Sequence, residues 1–195
     1  PALLAARKNN IEIIGDIDLF SHEVNAPVIG ITGSNGKSTV TTLLALMASR
    51  AGLKSVASGN IGLPVLDSLA VDAALYVLEL SSFQLETLQN LPMKVAVVLN
   101  ISADHLDRYD SLATYAMSKQ AIYQNAEVLV LNKDDDAANK VSGLSGRQIK
   151  FTLGKPEQGE FGVCENENGK VNLCFGSQQL LAVDDLRLKG KHNLQ

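Results

Sequence analysis

Apolar and polar positions follow two different rhythms along the chain. From residue 26 to about residue 147, short apolar runs are followed by longer stretches in which apolar residues recur at helical spacing. The run 74–80 is apolar almost throughout, which is typical of a strand covered on both faces. The predicted elements are strands at 27–32, 54–57, 74–80, 94–100 and 127–132 and helices at 37–51, 64–70, 83–89, 111–125 and 134–141. This alternation predicts an α/β fold with a doubly wound, mostly parallel sheet.

The rhythm changes after residue 148. Shorter runs then alternate apolar with polar residues and are separated by Gly, Asn and Pro; they lie at 148–153, 160–164, 171–175 and 179–183. Such alternation is typical of antiparallel strands with one solvated face. We therefore expect a small antiparallel β appendage at about 148–188, near the C-terminus.

The first 25 residues follow neither rhythm. They predict a helix at 1–8, a short apolar strand at 11–14 and an amphipathic helix at 16–24, and together these form no self-contained unit. We therefore interpret residues 1–25 as the remainder of a preceding domain with its linker. Residues 26–195 are interpreted as the main domain.

Composition excludes several functional classes. The chain has 195 residues and a formal net charge of −4, and it lacks the long basic stripe of a nucleic-acid-binding surface. No apolar run approaches the ~20 residues of a membrane span, and the first residues lack the apolar core of a signal peptide. Cys164 and Cys174 lack the spacing of a metal site, so we interpret them as reduced thiols on a hairpin. We therefore expect a cytoplasmic protein, most simply a monomer.

Residues 30–39 carry the strongest chemical signal. They read Gly-Ile-Thr-Gly-Ser-Asn-Gly-Lys-Ser-Thr and join the strand at 27–32 to the helix at 37–51. Glycines let the backbone N–H groups curl toward one anion, and the start of the helix adds its positive dipole end. Lys37 supplies a cation for the terminal phosphates, and Ser38 or Thr39 supplies a hydroxyl for Mg²⁺. Ile31 stands where the standard P-loop has glycine, so we interpret the segment as a shorter phosphate loop; an ordinary glycine-rich turn is the alternative.

Polar residues also mark the ends of other predicted strands. Ligands of open α/β sheets bind at the carboxyl ends of the strands, and Asn60, Glu79 and Asn100 follow three such ends. Burial of a carboxylate at the end of an apolar run costs free energy unless the carboxylate is paired or binds a cation. We therefore interpret Glu79 as a Mg²⁺ ligand opposite the phosphate loop. Capping of the helix that follows is the alternative.

Two further residues are ambiguous from sequence alone. His105 follows the strand at 94–100, flanked by Asp104 and Asp107, and is either a surface residue or a ligand for metal or phosphate on the same rim. Asp104 caps a short helix, binds a ligand, or does both. Lys119 lies inside the helix at 111–125, where a solvated lysine is the favoured interpretation.

Four spaced segments carry a family resemblance. They are Gly-Ser-Asn-Gly-Lys-Ser-Thr at 33–39, Gly-Asn-Ile-Gly-Leu-Pro at 59–64, Leu-Glu-Leu-Ser-Ser-Phe-Gln-Leu-Glu at 78–86 and Asp-His-Leu-Asp-Arg-Tyr at 104–109. Together, and in this order, they resemble the Mur ligase family, the ATP-dependent amide-forming enzymes of peptidoglycan synthesis. Within that family they are most similar to the member that adds D-glutamate to UDP-N-acetylmuramoyl-L-alanine. The resemblance runs from about residue 11 to the end of the chain.

The resemblance implies roles for individual residues. ATP would be bound by Gly33, Ser34, Asn35, Gly36, Lys37, Ser38 and Thr39, with Asn193 near the adenine. Two Mg²⁺ ions would be held by Ser38, Glu79, His105 and Lys119, the last as a carbamate formed with CO₂, which requires a neutral amine. The muramoyl-alanine substrate would contact Asn60, Ser81, Gln84 and His105. Catalytic roles would fall to Lys37, Glu79, His105 and Lys119.

The resemblance also implies a domain organisation. Complete members have an N-terminal domain for the UDP group and a C-terminal domain that brings D-glutamate. Residues 1–25 would be a remnant of the first, residues 26–195 the central ATP-binding domain, and the third would be absent. Another amino-acid-adding Mur ligase, a folylpolyglutamate-type ligase, a free-standing P-loop ATPase and a non-catalytic scaffold are the alternatives. We expect small-molecule substrates, no nucleic-acid or membrane partner, and no ligase turnover from this chain alone.

Overall fold

A single sheet organises the residues that the computed structural model describes, which are 2–103, 108–141 and 143–186. In chain order its strands β1–β9 are Val28–Thr32, Ser55–Gly59, Leu75–Glu79, Met93–Val98, Ala126–Asn132, Arg147–Phe151, Phe161–Glu165, Val171–Phe175 and Gln178–Ala182. Helices α1–α7 are Ala2–Lys8, Asp16–Glu23, Lys37–Arg50, Val65–Ser68, Ser82–Thr87, Leu112–Gln120 and Asp136–Asn139. None of these helices has the length and apolar character that crossing a membrane requires.

The strand order confirms the predicted fold class. Across the sheet it is β2-β3-β1-β4-β5-β6-β7-β8-β9. Neighbours from β2 to β6 run parallel, and β7, β8 and β9 pair antiparallel. The carboxyl ends of β1, β3 and β4 therefore lie side by side at one edge, where ligands of such sheets bind.

One boundary of the antiparallel appendage differs from the sequence prediction. The run at 148–153 was expected to open the appendage, but β6 pairs in parallel with β5. A single residue pair, Phe151 with Phe161, joins β6 to β7. The antiparallel strands thus begin at β7 and extend the main sheet. The prediction failed because β6 alternates half-buried Ile149 and Phe151 with polar neighbours, as a strand with one solvated face does.

Helix α2 packs into the main core, although residues 1–25 were interpreted together as the remainder of a preceding domain. Ile17 and Phe20 are fully buried in the larger hydrophobic cluster. The buried Asp18 carboxylate accepts a hydrogen bond of 2.8 Å from the backbone N–H of Gln89. Burial of two large side chains stabilises the fold by roughly 3–6 kcal/mol before entropy is counted.

Smaller differences concern local elements. Residues 11–14 form no strand, and the helix expected at 111–125 ends at Gln120 and continues as a 3₁₀ turn over Ala121–Tyr123. Cys164 and Cys174 form a disulfide with a Cα–Cα distance of 6.2 Å, whereas the sequence favoured reduced thiols. They lie diagonally on adjacent antiparallel strands, on the same face, at a separation that a disulfide can bridge.

The two faces of the sheet are covered unequally. The larger core lies on one face, whereas α3 packs against β1, β2 and β3 on the other. Over β4–β6 this second face is less completely covered. Five apolar side chains there are only half-buried, and we call them the open sheet face; they are Val95, Val128, Val130, Ile149 and Phe151.

Candidate nucleotide-binding site

The predicted phosphate loop connects β1 to α3, and two glycines shape it. Gly33 has a φ of +153° and Gly36, immediately before α3, a φ of +81°. A Cβ atom on Gly33 would lie 3.1 Å from the Cβ of Leu99 and 3.3 Å from the backbone N of Asn100. Gly33 is therefore required by close approach and Gly36 by its left-handed backbone.

Lys37 places its cation over this loop. Its ammonium donates hydrogen bonds to the carbonyls of Gly33 at 3.0 Å and Ser34 at 3.1 Å. The unpaired N–H groups of the first turn of α3 point in the same direction as the helix dipole. Positive charge is therefore concentrated at the mouth of the loop, as binding of an anion requires.

Glu79 lies across from the loop at the end of β3. Its carboxylate is 2% exposed and accepts hydrogen bonds from Ser38 Oγ at 2.8 Å and Asn60 Nδ2 at 2.9 Å. The cap of the following helix, α5, is Ser81, so the capping interpretation of Glu79 is wrong. Each carboxylate oxygen keeps a further lone pair, which is the ligand chemistry of Mg²⁺.

These residues surround one cavity of about 320 Å³. Its lining brings together the loop after β1, the first turn of α3, the residue after β2 and the last residue of β3: Ser34, Asn35, Gly36, Lys37, Ser38, Thr39, Asn60 and Glu79. Six of these eight belong to the phosphate loop and the first turn of α3, and the other two, Asn60 and Glu79, lie at the ends of β2 and β3. His105 and Asn193, together with Asp104, lie outside the described residues.

Ser81 and Gln84, the predicted substrate contacts, form a capping box. Ser81 Oγ accepts from the backbone N–H of Gln84 at 3.2 Å, and Gln84 Oε1 accepts from the backbone N–H of Ser81 at 3.1 Å. Gln84 Nε2 also reaches the Asp16 carboxylate at 3.4 Å. Their first role is to begin α5 directly after Glu79, which fixes the direction in which the chain leaves β3.

Lys119 is buried, so the interpretation as a solvated lysine is wrong. Its side chain is 2% exposed, and its ammonium lies 3.5 Å from Thr32 Oγ1 and 4.8 Å from the centroid of the Tyr115 ring. Helix α6 buries Tyr115, Ala116 and Lys119 together because these residues share one face at helical spacing. That face meets the end of β1, so Lys119 lies beneath the phosphate loop.

A family model described as the Mur ligase middle domain matches residues 31–195. The chain belongs to the Mur ligase family. A UDP-N-acetylmuramoylalanine--D-glutamate ligase from Hahella chejuensis is 47% identical over 190 residues, covering 97% of this chain and 42% of that protein. The protein of the same name from Teredinibacter turnerae is 49% identical over 193 residues, with the same coverage. The chain thus spans about 42% of the length of these relatives.

Solved structures of other proteins share the fold. A UDP-N-acetylmuramate:L-alanyl-gamma-D-glutamyl-meso-diaminopimelate ligase from Neisseria meningitides has a TM-score of 0.70 at 19% identity, covering 98% of this chain and 65% of that chain. E. coli FolC in complex with DHPP and ADP has a TM-score of 0.61 at 14% identity, covering 93% of this chain and 55% of that chain. At these identities the likeness concerns the fold alone.

Sequence reasoning placed Asn100 at the ligand-binding edge but missed its role, and that of Ser102 and Tyr115, in bracing the loop of this Mur ligase chain. Asn100 Oδ1 accepts from the backbone N–H of Asn35 at 2.9 Å, and Ser34 Oγ accepts from the backbone N–H of Ser102 at 2.9 Å. Ser34 Oγ also lies 3.4 Å from the hydroxyl of Tyr115. The available signal was the place of Asn100 at a strand end. Ser102 and Tyr115 carry no sequence signal, because their contacts depend on how β4 and α6 pack.

Proposed function

We propose that this chain is the nucleotide-binding part of an ATP-dependent ligase that joins D-glutamate to UDP-N-acetylmuramoyl-L-alanine in peptidoglycan synthesis, in the cytoplasm. The relatives that carry this activity in their names are 47–49% identical over nearly the whole chain. The observation that carries the proposal is the buried Glu79 carboxylate, which lies between Ser38 and Asn60 at the mouth of a glycine-rich phosphate loop.

The phosphate loop binds the triphosphate in this proposal. Backbone N–H groups at the start of α3 and the Lys37 ammonium neutralise charge on the transferring group, which is most of what a protein contributes to phosphoryl transfer. Lys37 exchanges its hydrogen bonds to two loop carbonyls for phosphate oxygens. Asn193 contacts the adenine.

Magnesium fits the donors at this site. Ser38 offers a hydroxyl and Glu79 a buried carboxylate with lone pairs to spare, both oxygen ligands. In the proposal these two hold one Mg²⁺, and Glu79 with His105 and Lys119 holds a second. The ions supply charge neutralisation when bound.

Lys119 serves this site as a carbamate. Its amine adds to CO₂, a C–N bond forms, and one proton leaves, so that a cationic arm becomes an anionic oxygen ligand. The reaction requires the neutral amine, and the Lys119 side chain is buried beneath the loop. Thr32 and the Tyr115 ring are among the described neighbours that orient the Lys119 side chain.

The reaction proceeds in two steps. The alanyl carboxylate attacks the γ-phosphorus of ATP. An acyl phosphate forms, and ADP is released. The amine of D-glutamate then attacks the acyl carbon, phosphate leaves, and an amide remains. The muramoyl substrate is positioned by Asn60, His105, Ser81 and Gln84. Ser81 and Gln84 act indirectly, because they fix the start of α5. Holding an amine beside a water-labile acyl phosphate requires a closed site.

The domain assignment is part of the same proposal. Residues 26–195, with α2 packed into their core, form the central ATP-binding domain, and the segment before α2 belongs with a domain for the UDP group. A further domain brings D-glutamate. On this basis the chain alone binds Mg²⁺-nucleotide weakly and forms no amide.

Two measurements test the proposal. Calorimetric titration of the chain with a non-hydrolysable ATP analogue and Mg²⁺ should give saturable binding that Lys37→Ala abolishes and that Lys54→Ala, a change in an exposed lysine paired with Asp72, leaves unchanged. The full-length enzyme, offered D-glutamate, L-alanine, L-lysine and diaminopimelate, should consume ATP to form amide with D-glutamate. Preference for another amino acid would assign a different Mur ligase activity, and ATP hydrolysis indifferent to the muramoyl substrate would assign a free-standing ATPase.

A further inference from the structure

The turn that follows β5 makes a set of hydrogen bonds that neither the phosphate loop nor the metal ligands explain. Asn132, the last residue of β5, is 1% exposed and donates from Nδ2 to the carbonyl of Leu99 at 2.7 Å. Asp135, three residues later, accepts at Oδ2 from the backbone N–H of Ile101 at 2.7 Å. These two side chains therefore fasten the segment 99–101, which leaves the neighbouring strand β4.

The fastened segment is the one that braces the phosphate loop. Asn100 bonds the backbone of Asn35 in both directions, with its Oδ1 at 2.9 Å from the N atom and its Nδ2 at 3.1 Å from the carbonyl. Ser102 donates its backbone N–H to Ser34 Oγ at 2.9 Å. Residues bonded to Asn132 and Asp135 thus alternate along the chain with residues bonded to the loop. A shift of the segment by a few tenths of an ångström would therefore change the hydrogen bonds of Ser34 and Asn35.

Asp135 divides its two carboxylate oxygens between two tasks. Oδ1 accepts from the backbone N–H groups of Ala137 and Ala138 at 3.0 Å, which caps α7. Oδ2 alone bonds Ile101. Capping needs one oxygen, and an amide or hydroxyl supplies it about as well as a carboxylate. The second oxygen is therefore not needed for the helix.

We propose that Asp135 is a positioning residue for the nucleotide site, which holds segment 99–102, and through it Ser34 and Asn35, in the arrangement that binds phosphate. The inference rests on the proposed function. Within the described part of the chain, the hydrogen bonds of the Asp135 side chain go to Ile101, Ala137 and Ala138, which do not line the cavity, so it acts through the segment.

Adjacent carboxylates provide a matched comparison. Asp135→Asn keeps an oxygen for the cap of α7 and replaces the acceptor of Ile101 by an NH₂ group, which cannot accept. Asp134→Asn makes the same charge change one residue away. Asp134 bonds Thr152 Oγ1 and the backbone N–H of Leu153, both at 2.6 Å, on the side of the appendage. Asp135→Ser, whose short hydroxyl caps α7 without reaching Ile101, provides a second variant should Asp135→Asn fold poorly.

The first readout is amide hydrogen exchange, which needs no nucleotide. Asp135→Asn should accelerate exchange at Ile101, Ser102 and Asn35, whereas Asp134→Asn should leave these three amides unchanged. Unchanged exchange at Ser102 and Asn35 in a folded Asp135→Asn protein would overturn the proposal.

The second readout is the affinity for the non-hydrolysable ATP analogue with Mg²⁺. Loss of a hydrogen bond to a charged group predicts a roughly tenfold weaker Kd for Asp135→Asn and less than a roughly twofold change for Asp134→Asn. Combining Asp135→Asn with Ser34→Ala should give less than the sum of the two effects, because both act through Ser102. Additive effects, or equal affinities of wild type and Asp135→Asn, contradict the positioning role. Absence of binding by the wild type would instead contradict the proposed function, and the exchange measurement would still decide on the segment.

Discussion

Glu79 combines two properties that conflict in an ordinary core residue, since it is charged and almost fully buried. Its hydrogen bonds from Ser38 and Asn60 offset part of the cost of removing a carboxylate from water. An apolar or amide side chain would fill the same space at a smaller cost in desolvation free energy. This cost is our reason for proposing that a cation binds beside the phosphate loop.

The first prediction follows from this conflict. Glu79→Gln should weaken nucleotide binding in the presence of Mg²⁺ by roughly 10–100-fold, because a charged ligand is replaced by a neutral one. Without Mg²⁺ the affinity should stay the same or improve, since a negative charge beside the phosphates is removed. Calorimetric titrations with and without Mg²⁺ measure the difference. Glu127→Gln, on an exposed carboxylate paired with Lys94, is the matched control. Equal losses in both conditions would contradict a metal-ligand role.

The second prediction concerns Lys119. Protein equilibrated with ¹³C-labelled bicarbonate should show one carbamate carbonyl resonance that Lys119→Arg lacks, because arginine does not add to CO₂. Mg²⁺ and nucleotide should strengthen the resonance if the carbamate oxygen binds metal. Lys94→Arg, on an exposed strand residue, should retain it. A spectrum identical to that of Lys119→Arg would leave Lys119 as an unmodified structural lysine.

Residues at strand ends could be predicted from sequence, and residues that depend on packing could not. The proximity of Asn60 and Glu79 to the loop of Lys37 could be predicted because the carboxyl ends of parallel strands meet at one edge of the sheet. Lys119 was misjudged because burial of a helix face can be predicted only when the element that packs against it is known. Asp135 was missed for the same reason, since its partner Ile101 lies in the segment that follows another strand, β4.

At the scale of elements, α5 is tied to Arg108 and Tyr109, which precede α6. Glu86 accepts hydrogen bonds from Arg108 Nη2 at 2.8 Å and from the Tyr109 hydroxyl. Arg108 also lies 4.3 Å above the Phe83 ring. Burial acts to raise the pKa of Glu86, but the hydrogen bonds from Tyr109 and Arg108 and the charge of Arg108 hold this pKa below its ordinary value. The ionised form is therefore favoured by folding.

This linkage gives the third prediction. A group whose pKa is lower in the folded state contributes stability above its unfolded pKa and loses that contribution as the pH falls through the folded value. The free energy of unfolding should therefore decrease as the pH is lowered below about 4.5. Glu86→Gln should lose about 1 kcal/mol at pH 7, a figure reduced because Arg108 is half exposed. Its stability should also vary less with pH in this range, as measured by urea unfolding.

Glu12→Gln serves as the control for Glu86, because Glu12 is exposed and lies outside every secondary-structure element. It should leave both the stability at pH 7 and its slope at low pH unchanged. A Glu86→Gln protein that follows the wild-type pH profile would show that the ion pair with Arg108 contributes nothing measurable.

The same scale explains which elements the sequence predicted. Strands β1, β3, β4 and β5 have long apolar runs, and such runs predict buried parallel strands. β6 was assigned to the wrong set because half-burial on one face gives the alternation of an antiparallel strand. Helix α2 was set apart because its burial depends on partners such as Tyr76, far along the chain.

At the scale of the whole molecule, the open sheet face conflicts with the expectation of a monomer. Apolar side chains of β4, β5 and β6 continue into the exposed or half-buried Phe161, Leu173 and Leu181 of the antiparallel strands. Along α3, Leu43, Leu46 and Met47 are also exposed. Contiguous apolar surface of this kind promotes association in water. We therefore expect this chain by itself to bind apolar dyes and to associate at micromolar concentration.

Strand β5 allows a test in which one strand supplies both variant and control, since its side chains alternate between the two faces. Val128→Thr with Val130→Thr changes the open sheet face while nearly preserving shape. The double variant should associate less and change the free energy of unfolding by less than about 1 kcal/mol, because these side chains already meet water. Leu129→Thr changes the opposite face, where Leu129 is fully buried, and should cost roughly 3 kcal/mol without reducing association. Sedimentation and urea unfolding measure the two quantities. Equal destabilisation by both changes would mean that the open sheet face is covered in solution.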